Sequence, residues 1–182
     1  SRRAMLSYNV AALLRSVPGT SRTYPVAVES LPIAEDLELA APLEGELKLS
    51  RTGRSILAHG QFQTAVAEHC SRCLTPMAAP ISVEIEEEAL PLLDIDSGQP
   101  LDTSGEPDAL RLDEHHELDL ATAVREAISL AEPIAPLCRL DCRGLCLICG
   151  ADQNTDPLHG HPDDDIDPRL AGLAALRDQL GP

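Results

Sequence analysis

Aromatic side chains are almost missing from this chain: Tyr8, Tyr24 and Phe62 are the whole set, with no tryptophan. Single-stranded nucleic acids are usually gripped by stacking bases on aromatic faces, so a stacking platform is excluded. Positive charge is also scarce. Fourteen Lys and Arg stand against 30 Asp and Glu, for a net charge of −16. Phosphate binding needs cations to displace condensed counterions, so a broad nucleic-acid surface is excluded too. An acidic surface suits a basic protein partner, or simply keeps the chain solvated.

Long apolar runs are lacking as well. Nothing approaches the roughly 18 residues that a membrane span needs. The opening stretch, "SRRAMLSYNVAALLRSV", is broken by Asn9 and Arg15 and has no small-residue cleavage site, so it does not read as a secretory signal. The expectation is a cytoplasmic protein whose thiols stay reduced. Its six cysteines then suggest metal before disulfides.

What the sequence does have is 43% hydrophobic residues, enough for a core built from Leu, Ile, Val and Ala. Charge is segregated along it. The first 28 residues carry Arg2, Arg3, Arg15 and Arg22 and no acid, whereas residues 84–119 carry thirteen acids against the single Arg111. This contrast divides the chain into a basic N-terminal arm (1–25), an antiparallel β domain (26–135) and a Cys/His segment with a terminal helix (136–182).

Asn9 is placed to cap a short helix over 10–17, stopped by Pro18-Gly19. From about 26 to 90 apolar residues alternate with polar ones. The pattern predicts a hairpin over Leu43–Ser50 and Ile56–Glu68, turning at Thr52-Gly53, and a further strand with Ile81, Val83 and Ile85 on one face. Gly60 reads as a bulge that curls the sheet. Residues 94–117 read as a mobile polar loop. Residues 119–131 repeat apolar side chains at helical spacing and stop before Pro133. Asp167-Pro168 opens a second amphipathic helix at the end of the chain. The fold class expected is α+β: a curled, barrel-like antiparallel sheet with flanking helices and a C-terminal zinc-knuckle segment.

The cysteines carry the chemistry. Cys70 and Cys73, in "HCSRCL", can turn both sulfurs toward one zinc ion about 2.3 Å away. Two ligands do not close a tetrahedral site. Cys138, Cys142, Cys146 and Cys149 follow, then His159 and His161 in "DPLHGHPDDD". Eight ligands suffice for two zinc ions. Gly144 and Gly150 suit knuckles whose backbone must turn sharply beside thiolate sulfur. One pairing puts Cys70, Cys73, Cys138 and Cys142 on one ion and Cys146, Cys149, His159 and His161 on the other. A single ion held by the four clustered cysteines is the rival. A redox pair of the thioredoxin kind would need a strand–helix setting that is absent from the pattern.

"HCSRCL", "LDLATAVREAISLAEPIAPLC", "DCRGLCLICGADQN" and "DPRLAGLAAL" together resemble the bacterial YceD family of large ribosomal RNA subunit accumulation proteins, in its branch with the full cysteine set. Where many relatives carry Cys-x-Cys after Asn154, this chain has His159-Gly160-His161; imidazole can replace thiolate on zinc. The resemblance implies a non-enzymatic ribosome-biogenesis factor acting on an assembly intermediate of the large subunit, with no small-molecule substrate. On that reading Arg2, Arg3, Arg15 and Arg22 touch RNA while the acidic loop meets a basic ribosomal protein. The alternative is a chaperone or metallation factor for such a protein. No Ser-His-Asp set, Gly-rich phosphate loop or open zinc triad marks a catalytic centre.

Overall fold

The computed structural model describes residues 6–34, 37–156 and 158–161. Arg2, Arg3 and the helix expected after Asp167 lie outside the described residues.

The alternating stretches form the body. A five-stranded sheet runs in the order β2-β3-β4-β5-β6, with β2 at Ser21–Val28, β3 at Leu43–Thr52, β4 at Ser55–His69, β5 at Pro76–Leu90 and β6 at Leu110–Arg111. All pairs are antiparallel except β5–β6. The sheet is therefore mixed and open, not a closed barrel, and most of the ordered structure is strand. Closing it would require β2 to meet the far edge, and the ladder ends at the two-residue β6 instead. A separate two-stranded ribbon joins β1 (Ser7–Asn9) to β7 (Glu117–Asp119).

Period two is the reason for the sheet. Leu43, Leu47 and Leu49 of β3, Ile56, Ala58, Phe62 and Val66 of β4, and Ala79, Ile81, Val83 and Ile85 of β5 are all buried in one core. Each large aliphatic side chain fully withdrawn from water contributes about 1.5–3 kcal/mol. Helix α2 (Ala121–Ala131) packs on β5 and buries Ala123, Val124 and Ile128. The β3–β4 turn holds Gly53 at φ 62°, with Thr52 paired to Ser55. Glycine at the first central position is what a two-residue hairpin loop of this hand requires.

Four local expectations are revised. Helix α1 covers only Ala11–Leu14; Asn9 sits at the end of β1, where its Oδ1 accepts the Ala11 N–H at 3.2 Å. The ribbon and Leu6, Val10, Leu13 and Leu14 tie this segment into the main core. Gly60 is not a bulge, since it pairs in unbroken register with Leu47 and Ile85. Its lack of a Cβ makes room for the Phe62 ring, whose nearest atom would lie 2.5 Å from one. Finally, 94–117 contains β6 and is pinned to the body. Arg54 donates to Glu106 at 2.7 Å, and Arg111 donates to the carbonyls of Thr103 (3.1 Å) and Glu106 (2.6 Å). Among the described residues no helix is long and apolar enough to cross a membrane.

Candidate metal centre

Strands β4 and β5 are the longest in the sheet and pair from Ile56↔Ala89 to His69↔Pro76. Their turn is "CSRCLT", residues 70–75. It is built around sulfur. The Cys70 N–H donates to the Thr75 carbonyl at 2.9 Å and the Leu74 N–H to the Cys70 carbonyl at 2.9 Å. The second Cys-x-x-Cys repeats this wiring: Cys146 N–H to Ala151 carbonyl, 2.7 Å, and Gly150 N–H to Cys146 carbonyl, 2.8 Å. In each, the residue after the second cysteine is left-handed, Leu74 at φ 60° and Gly150 at φ 74°. Two stretches 76 positions apart thus fold into one shape.

That shape turns backbone N–H groups onto the first sulfur of each knuckle. The amides of Cys138, Cys73 and Arg72 bring the Cys70 thiol down to about 6. Those of Cys149 and Ile148 do the same for Cys146, also to about 6. Amides aimed at sulfur favour thiolate, the form that binds metal. Cys138 goes the other way. Withdrawal from water and the neighbouring thiols Cys73, Cys70 and Cys142 push it up to about 12. Four sulfurs this close cannot all be anions unless a cation stands among them.

The eight side chains singled out by spacing gather into two groups of four. Cys70, Cys73, Cys138 and Cys142 form one; Cys146, Cys149, His159 and His161 form the other; within each, all ligand atoms lie within 4.8 Å of one another. The rival grouping of the four clustered cysteines is not what the chain assembles. In the first group Cys70 Sγ lies 3.8 Å from Cys142 Sγ and Cys73 Sγ 3.7 Å from Cys138 Sγ. A tetrahedral ion with bonds of about 2.3 Å separates its sulfurs by about 3.8 Å. Disulfide sulfurs would be about 2.05 Å apart. The observed spacing fits the first and not the second. In the other group His159 Nε2 and His161 Nε2 lie 3.1 and 3.2 Å from Cys149 Sγ and 3.0 Å from each other. Mixed nitrogen–sulfur tetrahedra have edges of about 3.3–3.6 Å, so this group is a few tenths of an ångström tight.

Burial separates the two. Cys70, Cys73 and Cys142 are buried with Met77, Leu137 and Leu145 packed round them. In the second group only Cys146 is buried. Leu147 and Ile148, at its knuckle tip, and Leu158 beside His159 are exposed.

Several contributors were not foreseen from spacing. Arg72 crosses between knuckles, donating to the Cys142 carbonyl at 2.7 Å, and its own carbonyl receives the Leu145 N–H at 3.0 Å. Gly144, which the sequence did single out, sits against that carbonyl: a Cβ on it would lie 2.9 Å away, so only glycine lets the two segments approach. Thr75 Oγ1 lies 3.3 Å from Cys73 Sγ. The signal available was the repeated six-residue knuckle itself, hidden because its left-handed position is Leu in one copy and Gly in the other.

The arginines behave differently. Arg15 is exposed and its guanidinium lies 3.9 Å from Asp96; Arg22 is exposed on β2. They do not converge with the cysteine groups. The outward face of the sheet is acidic instead. Glu44, Glu46, Gln61, Gln63 and Glu84 line a shallow concavity of about 830 Å³, and His59 lies 3.5 Å from Glu84 and 3.9 Å from Glu86.

The chain is 31% identical over 174 residues to an uncharacterized protein of Mycobacterium leprae, covering 95% of this chain and 72% of that protein. An uncharacterized protein of Mycobacterium tuberculosis is 31% identical over 147 residues, covering 80% of this chain and 66% of that protein; an uncharacterized Mycobacterium bovis protein matches to the same extent. The chain therefore spans about two thirds to three quarters of the length of these relatives. No solved structure is significantly similar to it. The family model described as large ribosomal RNA subunit accumulation protein YceD matches residues 58–177, a stretch that starts in β4 and takes in both groups of four side chains. The chain belongs to the YceD family.

Proposed function

We propose that this protein is a non-enzymatic, cytoplasmic assembly factor for the large ribosomal subunit, its fold held by two structural zinc ions. The observation that carries the reading is the match of residues 58–177 to a family described by large-subunit ribosomal RNA accumulation. Cys70, Cys73, Cys138 and Cys142 would hold one ion and Cys146, Cys149, His159 and His161 the other. Four-ligand sites of sulfur, or of sulfur with imidazole, are closed sites, suited to bracing a fold rather than activating water. When bound, zinc supplies a cation that keeps four ligands together. The chain's residues do the rest, presenting amides to sulfur and packing Leu137 and Leu145 around it.

A second reading is favoured by the acidic outer face: the immediate partner is a basic ribosomal protein, which this chain shields before it joins the particle. Glu44, Glu46 and Glu84 around the concavity present the charge that a Lys/Arg-rich segment would complement. On the first reading Arg15 and Arg22, with Arg2 and Arg3, would supply the RNA contact.

The test is depletion of the protein in a cell that makes it, followed by the ratio of large- to small-subunit ribosomal RNA. A falling ratio is expected, together with co-sedimentation of the tagged protein with large-subunit precursors. An unchanged ratio sinks the proposal. Ribonuclease treatment of the captured material separates the readings: loss of partners favours the RNA contact, and retention of a basic protein favours the second.

A further inference from the structure

Asn154 belongs by sequence to the second group of ligands, between Cys149 and His159. Its side chain reaches the first. One amide hydrogen of Nδ2 is directed at Cys142 Sγ, 3.5 Å away; the other goes to Asp152 Oδ1 at 2.7 Å. Oδ1 accepts the Arg143 backbone N–H at 2.9 Å and the Arg139 guanidinium at 2.7 Å. Both donors and both acceptor positions of the amide are used. The surrounding main chain follows suit. Asp152 bridges to Leu145, and the Gln153 N–H donates to the Gly144 carbonyl at 3.0 Å. The segment 142–146 is thereby clasped between the first knuckle, through Arg72, and the loop that carries His159 and His161.

We propose that the two metal sites are coupled through Asn154, so that filling the first organises the second. This rests on the metal reading above. An N–H donated to a thiolate is charge-assisted and roughly twice as strong as one donated to a neutral group. Cys142 is held as thiolate when it is a metal ligand. Metal at the first site therefore tightens the Asn154 contact, fixes residues 151–156 and removes part of the ordering cost of placing the two imidazoles. Coupling is reciprocal: the second ion must strengthen the first by the same factor.

The experiment titrates the full chain, reduced and stripped of metal, with cobalt(II). Bound ions are counted by native mass measurement, and thiolate charge-transfer absorption reports the sites. The wild type is expected to take two ions. Cys149→Ser/His159→Ala isolates the first site and should bind one ion. Cys70→Ser/Cys73→Ser isolates the second, and its affinity should fall about tenfold below the wild type's second step, within the 5–150-fold range typical of coupled sites. Asn154→Ala should give the same fall at the second step and also weaken the first, since a contact that metal tightens must itself favour metal. Combining Asn154→Ala with Cys70→Ser/Cys73→Ser should cost nothing more, because the route is already broken. Asn154→Asp keeps the acceptor for Arg143 and Arg139 but has no N–H for sulfur, so it should behave like Ala while circular dichroism shows an intact sheet. Wild-type affinity at the second site in either Asn154 variant, or multiplicative losses in the combined variant, overturns the coupling. No ion bound by the wild type overturns the metal reading itself.

Discussion

Leu74 and Gly150 occupy the same position in two knuckles, each following the second cysteine with a left-handed backbone at φ 60° and 74°. For an L residue that conformation costs about 1–2 kcal/mol, and glycine adopts it freely. Leu74 is 61% exposed, so little packing is lost on truncating it. Leu74→Gly is expected to raise stability by about 0.5–1 kcal/mol, the strain relieved less the extra freedom of the unfolded chain. Gly150→Leu should lower it by about 1–2 kcal/mol. Chemical denaturation of metal-saturated protein reads both; an unmoved midpoint for Leu74→Gly would show that the turn stores no strain there.

Metal removal should divide the molecule unequally. Cys73 and Cys138 are 65 residues apart, and closing a loop of that length costs about 4 kcal/mol in chain entropy. Cys70→Ser should leave at most one ion of two and lower the melting temperature of the sheet. His159→Ala should also leave one ion but scarcely move that transition. Native mass measurement and thermal melting decide the matter. One ion in the wild type, unaffected by Cys70→Ser, would restore the single site built from the clustered cysteines.

Asp113 gives a pH dependence. Its Oδ1 accepts the backbone N–H groups of Glu117 and His115, each at 2.8 Å. The Glu117 bond is the main reason its carboxyl sits below the ordinary range, with His115 adding to it. A carboxyl depressed in the folded state stabilises above its unfolded pKa, and the gain disappears as pH falls through the folded one. Asp113→Asn should therefore melt lower than wild type at pH 7, and the gap should begin to narrow below about pH 4 and close once pH has fallen through the folded value. A gap that persists at low pH would place the effect in shape rather than charge.

The acidic face makes a kinetic prediction. Changing Glu44, Glu46, Glu84 and Glu86 to Gln should slow capture of an arginine-rich peptide by about tenfold at low salt, because such fields raise association rates by 10–10³. The remaining rate should depend less on ionic strength. Stopped-flow measurement at two salt concentrations checks it, and an unaltered salt dependence would mean that these acids only solvate the sheet.

The strands could be read because burial of one face forces alternation: Ile81, Val83 and Ile85 point inward and Glu84 and Glu86 outward as the pattern requires. Helix α2 was equally plain, since Val124 and Ile128 fall on one side. That the eight side chains gather in two groups of four could be anticipated, because eight sulfur and imidazole donors are the number that two tetrahedral ions would need. Openness of the sheet could not, for closure depends on how far each ladder runs and not on which face is apolar. Leu110-Arg111 is too short to show a period, so β6 was hidden in a polar loop. Gly60 misled because its reason lies two residues away, in the ring of Phe62.

Because the turn between β4 and β5 is itself a knuckle, synthesis of the chain imposes a timetable. Cys70 and Cys73 leave the ribosome well ahead of Cys138, 65 residues behind Cys73. At about 5–20 residues per second, that gap is roughly 3–13 s. Both long strands are complete within it, yet the turn joining them has only two of the four thiols that its group gathers. With a metal ion as the brace, the longest ladder in the protein would wait at its sulfur end until the C-terminal third arrives, and the last stage of folding would be set by the order in which the chain is made.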